Sequence, residues 1–307
     1  MQSLERAWLN FWFEPSSALN LGICRAMFFS GLFLFYAADD FAGWGAVNQG
    51  FWMPLPLFRR LWALPVETLQ VMQIAWKLSL LLSCLGLFTR TAMVGALVLG
   101  TYLLGLPHNF GKTHHIDAIL VLVMAMLAVS RGGDAFSLDR LLQGRRSSGT
   151  PPLSGEYTWP IRGACAVYTL VFFAAGYAKL RSSGLDWILS DNMQITLVQA
   201  SYHQAAHDPV MGWNLWLAQF PLLCRIAAAG AVAIELVAPL ALFWRPARRV
   251  IVPSLVLLMI SIRLLLGPAF FEFLLCNVFW VDWKSLGERW FTRARPKVDA
   301  DFMGATG

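Results

Sequence analysis

Charge is scarce in this sequence. Asp, Glu, Lys and Arg make up 14% of its 307 residues, against about 25% in an ordinary soluble domain. A water-facing surface of normal composition is therefore excluded. No polar segment is long enough to build a soluble core of its own. The five cysteines, Cys24, Cys84, Cys165, Cys224 and Cys276, form no CxxC pair and sit inside or beside apolar runs. They read as small buried hydrophobes rather than as a redox motif or a zinc site. There is no Walker loop, no GxGxxG opening a helix, no GxSxG elbow and no HExxH. Nucleotide, serine-hydrolase and zinc-protease chemistry thus lack their usual signatures. No internal repeat or low-complexity tail is present, and no basic arm carries interleaved aromatics. The net charge of +6 is accordingly not read as a nucleic-acid footprint. Short basic loops meet anionic headgroups and set membrane orientation.

What the sequence has instead is apolar residues: 57% of the chain, with a mean hydropathy of +0.56. They fall into runs, Leu19–Ala38, Val66–Phe88, Ala92–Leu106, Ile116–Val129, Ile161–Leu180, Leu222–Trp244, Val250–Leu266 and Pro268–Trp283. A bilayer needs about 20 apolar residues per helical crossing. The fold class predicted is all-α: a polytopic transmembrane helix bundle of about eight spans, with the third, fourth and eighth short enough to be shielded partly by protein. Residues 1–16 read as an amphipathic helix on the membrane surface rather than a signal peptide, because no small-residue cleavage site follows closely. Residues 17–284 form the membrane domain and 285–307 a cytoplasmic tail. Fourteen Lys and Arg fall on the side of both termini, and four, Arg59, Arg60, Lys112 and Arg181, on the other. The positive-inside rule then puts both termini in the cytoplasm, and the expected location is the inner membrane of a bacterium.

Charges inside spans are costly and are candidates for function. Arg25 and Lys77 lie in the first two spans and Glu235 in the sixth. One carboxylate with two cations suggests a buried cluster of all three, or structural ties between helices. Arg263 and Glu272 flank the turn after the seventh span and are close enough to pair. The densest polar stretch is His108-Asn109-Phe110-Gly111-Lys112-Thr113-His114-His115-Ile116-Asp117. Partial burial disfavours an ammonium, so Lys112 is a candidate general base toward a lipid-soluble acid such as a hydroquinone. A helix starting near Thr113 would put His114 and Asp117 on one face, with His115 beside them. The competing reading is a polar loop whose histidines merely wet the interface. His203 and His207 are four apart, a metal-ligand spacing on a helix, but a solvated segment is the preferred reading and no metal is assigned.

Several motifs carry a family resemblance. EPSSALNLGICRAMFFSGLFLF, with Arg25, resembles the first span of the vitamin K-dependent gamma-carboxylase membrane domain and of the wider HTTM (horizontally transferred transmembrane) family. LPVETLQVMQIAWKLSLLLSCLGLFTRTA is similar to its second span and tight basic turn. GKTHHIDAIL and DAFSLDRLL are similar to its lysine-threonine loop and the Ser-x-Asp motif beyond. VFFAAGYAKLRSSGLDW resembles the fifth span, ending in Gly-x-x-Lys-Leu, and AIELVAPLALF the acidic sixth. The resemblance implies a quinone or hydroquinone as cofactor and Lys112, beside Thr113, as its base. The chain departs from the carboxylases in its shorter path from Lys112 to the next histidine and in LLMISIRLLLGP, which lacks the polar residues expected there. The partners expected are the lipid bilayer, a quinone-like lipid and a protein partner. A non-catalytic subunit or scaffold, as in DoxX-type bundles, and a lipid or quinone carrier stay open beside the enzyme.

Overall fold

The computed structural model describes residues 2–112, 116–144, 151–203 and 212–293. Its helices are α1 Gln2–Phe13, α2 Ala18–Tyr36, α3 Val66–Leu85, α4 Thr89–Gly105, α5 Ala118–Val129, α6 Leu138–Gly144, α7 Trp159–Ser183, α8 Asp186–Leu189, α9 Asn192–His203, α10 Trp213–Ala218, α11 Pro221–Val237, α12 Leu240–Phe243, α13 Arg245–Leu266, α14 Phe271–Cys276 and α15 Trp283–Arg293. Among the described residues there is no strand, only an isolated bridge between Ser16 and Ser154. Among the described residues five helices are long and apolar enough to cross a membrane: Ala18–Tyr36, Val66–Leu85, Thr89–Phe110, Gly155–Ser183 and Arg245–Leu266.

The other expected spans are shorter or broken. The fourth is the apolar helix α5, twelve residues long, or ~18 Å at ~1.5 Å per residue. The sixth is interrupted after Val237, where Pro239 separates α11 from α12. Proline has no N–H for the helical ladder, so the run cannot continue as one rod. The eighth is a six-residue helix, α14, followed by a 3-10 turn over Asn277–Trp280.

The core forms around α2. Leu21, Cys24, Phe28, Phe29 and Leu32 are fully buried, which places one face of that helix against α3, α7, α14 and α15. Trp76 of α3 donates its indole N–H to Ala96 O of α4 at 3.0 Å, so a bulky ring is buried without an orphan donor. The outer helix α13 buries little of itself and exposes Val250, Leu257, Ile260 and Leu264, the pattern of a helix that faces lipid.

One end of the bundle, where α2 begins and α3 turns into α4, is locked by Asp139. Its carboxylate accepts from Phe88 N at 2.9 Å, Thr89 N at 2.7 Å and Thr89 Oγ1 at 2.7 Å. These are orphan donors at the start of α4, which an acidic group satisfies. Burial raises the carboxyl's proton affinity, but the bonds from Thr89 and Phe88 outweigh it and hold Asp139 below the usual carboxylate range. Gly86 closes the turn with φ +69, and a Cβ there would collide with Arg25 and Ser137. Glycine is therefore required both by conformation and by space.

Candidate functional site

The opposite end of the bundle brings Tyr36, His108, Lys112 and Asp117 together. Tyr36 is the last residue of α2, and Asp117 immediately precedes α5. The Tyr36 hydroxyl donates to Asp117 Oδ1 at 2.9 Å, and the Lys112 amine donates to Oδ2 at 2.7 Å. His108 Nε2 lies 3.3 Å from the same Oδ2, and its Nδ1 lies 3.0 Å from the carbonyl oxygen of Lys112. A carbonyl only accepts, so Nδ1 must donate there. Only a doubly protonated ring can then also donate to Asp117. Asp117 is 5% exposed and Lys112 keeps 38% of its side chain open. The carboxylate is the fixed member of the pair and the amine the accessible one.

The loops that deliver these groups are built for the purpose. Gly111, with φ +94, lets the chain fold back after the 3-10 turn Pro107–Phe110, so that Lys112 N meets Pro107 O at 3.1 Å. Asn109 is fully buried; it donates to Gly105 O and accepts from Leu55 N, pinning the 48–55 loop over this turn. Lys77 donates to Ala37 O at 2.9 Å and Asp39 O at 2.8 Å, closing the end of α2. That turn holds Asp39 and Asp40 on the wall of a cavity of about 350 Å³, shared with Tyr36, Phe41, Trp44, Lys112 and Asp117. Glu272 of α14 is buried nearby, feels the charges of Asp117 and Lys112, and leaves its Oε2 without a partner among the described residues.

The expected cluster of Arg25, Lys77 and Glu235 does not form. Glu235 pairs with Lys179 of α7, whose amine lies 2.5 Å from both carboxylate oxygens. Arg25 is fully buried at the Asp139 end and donates to Phe136 O at 2.5 Å. Lys77 caps α2, as above. The three charges sit at different depths and on different helices, which composition along the chain does not reveal. Lys179 is the residue that sequence reasoning missed. It lies in the last turns of a span, where a lysine ordinarily snorkels to the interface, but its Gly-x-x-Lys spacing was a usable signal. Gly176 lies one turn before it and packs on Glu235, letting α7 and α11 approach.

The expected helix start near Thr113 is also corrected. Ile116 and Asp117 form a turn and α5 begins at Ala118, so Asp117 flanks the helix instead of lying on its face. His114 and His115 lie outside the described residues, as does His207; His203 ends α9. Among the described residues no group of three His, Cys, Asp or Glu is placed to hold a metal. Arg263 donates to Gly267 O at 3.1 Å, at the end of α13.

Comparison with known proteins gives one match. The HTTM domain family matches residues 13–282. No curated protein matches, and no solved structure does. The match covers most of the chain, and the chain belongs to the HTTM domain family.

Proposed function

We propose that this HTTM family protein performs acid–base chemistry on a quinone-like lipid at the outer edge of a bacterial inner membrane, with Lys112 as the proton acceptor. The protein is an integral membrane protein, as the family and the apolar helices indicate. We read its apolar segments as eight membrane segments, three of them short or broken, with both termini cytoplasmic. The observation that carries the functional reading is the cavity wall itself. The accessible Lys112 amine stands there beside a buried carboxylate that is held by Tyr36 and faced by His108.

An ammonium cannot accept a proton, so the pair must first rearrange. Transfer of one proton from Lys112 Nζ to Asp117 across 2.7 Å leaves a neutral amine and a neutral acid. The amine then takes the hydroxyl proton of a quinol in the cavity, and the lipid leaves as its anion. Tyr36 donates to Asp117 Oδ1 and so keeps the free lone pair of Oδ2 directed at the amine. The test is native mass spectrometry of lipids retained by the purified protein, paired with quinol-dependent turnover. A retained quinone and loss of turnover in Lys112→Ala and Lys112→Arg support the reading, because a guanidinium stays protonated. Full turnover in the arginine variant overturns it.

A second reading rests on a different feature. An apolar groove of about 600 Å³ runs between α9, α11 and α13, floored by Gly230, Ala231 and Ala233. Small residues let a foreign helix approach closely, which favours a non-catalytic subunit or scaffold that holds a protein partner. Retention of the Lys112 cavity's lipid with no turnover in any assay would move the balance to that reading.

A further inference from the structure

A second cavity lies outside the Lys112 network. It has a volume of about 550 Å³ and is enclosed by Val171, Phe172 and Ala175 of α7, Met259 and Ile262 of α13, and Phe270 and Phe273 around α14. That size is within the usual range of about 300–1,000 Å³ for pockets that take small molecules. Among the described residues its wall is apolar except at one place, where Lys179 and Glu235 face it. Such a lone polar feature in an apolar cavity fixes the orientation of whatever binds.

The ion pair determines what can bind. Glu235 keeps 5% of its side chain exposed and Lys179 keeps 26%. Two of the three amine protons meet the two carboxylate oxygens. The ammonium lies over the Trp187 ring, 5.1 Å from its centroid. One amine proton remains, and each carboxylate oxygen keeps a second lone pair. A ligand group that accepts one hydrogen bond or donates one is therefore matched. A charged group is not, because the pair is neutral as a unit and no other charged residue is among the described ones that line the cavity. Position gives the rest. Lys179 is in the last turns of α7 and Trp187 has the amphipathic ring that favours the headgroup level. A polar end at that level with a chain running along Phe172, Phe270 and Phe273 is the arrangement of a single-chain membrane amphiphile.

We infer that this cavity binds one uncharged single-chain lipid ending in a hydroxyl or carbonyl group, of the fatty-alcohol or monoacylglycerol type, with that group on the Lys179–Glu235 pair. The inference does not rest on chemistry at Lys112, which does not line this cavity. Ile116 lines it and Asp117 lines the other, so the two compartments share one turn as a wall.

The test uses two photoactivatable probes, a diazirine fatty alcohol and the matching diazirine fatty acid in its ionised form. Each is added to the full-length protein in nanodiscs, and labelled peptides are mapped by mass spectrometry. In the wild-type protein the alcohol should label α7, α13 and the 268–273 segment about tenfold more than the acid does, the effect of ~1.4 kcal/mol. Ala175→Trp fills the cavity and should remove that preference while leaving labelling of lipid-facing α3 unchanged. Glu235→Gln leaves Lys179 as an uncompensated cation and should reverse the preference toward the acid. Equal labelling by both probes in the wild type, or a preference that survives Ala175→Trp, overturns the inference. Because Ala175→Trp keeps the ion pair, the inference remains testable if Glu235→Gln fails to fold. Full turnover in Lys112→Arg with intact probe preference separates failure of the catalytic reading from failure of this one.

Discussion

The two ends of the bundle handle buried charge in opposite ways. At the Asp139 end, both oxygens of the carboxylate accept from donors of the α3–α4 turn, and Arg25 is packed at 0% exposure against Gly86 and Phe136 O. Arg25 lines no cavity there, and although Asp139 and Thr89 border one of about 770 Å³, their polar groups are spent on one another. At the Lys112 end, the carboxylate of Asp117 is buried, at 5% exposure, but its amine partner is open to a cavity. Burial of a charge is thus not what distinguishes a lock from a site. The distinction is whether one partner keeps unused hydrogen-bonding capacity toward an accessible space.

The largest stability effect should come from the Lys179–Glu235 pair. Glu235→Gln leaves the Lys179 ammonium beside an amide in apolar surroundings, and breaking a buried pair costs about 3 kcal/mol. The partial exposure of Lys179 places the effect at the lower side of what such losses reach. Thermal unfolding in detergent measures it. The double variant Lys179→Met/Glu235→Leu should recover most of the loss, since removing both charges removes the uncompensated one. Strict additivity of the two single changes would show that the pair carries no coupling.

The next effect tests the lock. Asp139→Asn keeps the shape but loses the anion, so one donor at the start of α4 loses its acceptor, at a cost of about 2 kcal/mol. A pH series sharpens the point. Asp139 is held below its ordinary value by the Thr89 and Phe88 bonds. Its contribution is therefore fully present above the unfolded carboxylate range, near pH ~4, and is lost as the pH falls through the lower folded value. The wild type should lose stability over that acid window and Asp139→Asn should lose less. Parallel curves would remove Asp139 from the lock.

These contrasts show what was legible in the sequence. The apolar runs gave the helices because length and hydropathy are local properties. The Gly-Lys-Thr loop and Asp117 were legible for the same reason: the polar residues are neighbours in the chain, and Lys112 and Asp117 meet across five positions. Tyr36 was not, because it arrives from 81 positions away. Nor was the partner of Glu235, 56 positions away on a helix whose rotation about its axis no pattern of apolar residues could set. The motifs that resemble the family's Ser-x-Asp and tight basic turn are explained by the lock: Asp139 caps α4 where Gly86 turns the chain.

A smaller effect is expected at the cavity. Tyr36→Phe removes one neutral donor from Asp117 Oδ1, worth about 1 kcal/mol. The carboxylate then keeps the Lys112 donor on Oδ2 and rotates more freely. Quinol-dependent turnover should fall with a small change in melting temperature. A large melting shift without a change in turnover would make Tyr36 part of a lock and erase the contrast between the ends.

The smallest stability effect should belong to Lys112, and that is what makes it the decisive residue. Its side chain is 38% exposed, so solvent screens the pair, and its loss should cost below about 1 kcal/mol. Asp117 retains the Tyr36 donor after Lys112→Ala, so its buried carboxylate is not left without a hydrogen bond. A residue that contributes little to folding and stands on a cavity wall is positioned for binding or chemistry. Lys112→Ala should therefore melt close to the wild type and lose turnover, whereas Asp139→Asn should melt lower and keep turnover at permissive temperature. Lys112→Arg separates charge from proton transfer. It restores a cation opposite Asp117 and should restore stability, yet a guanidinium cannot accept the quinol proton. Turnover measured beside thermal unfolding on these three variants places each end of the bundle in its class. If Lys112→Ala instead melts as low as Asp139→Asn, the Lys112–Asp117 pair is a second lock, and the partner-subunit reading takes the place of the enzyme.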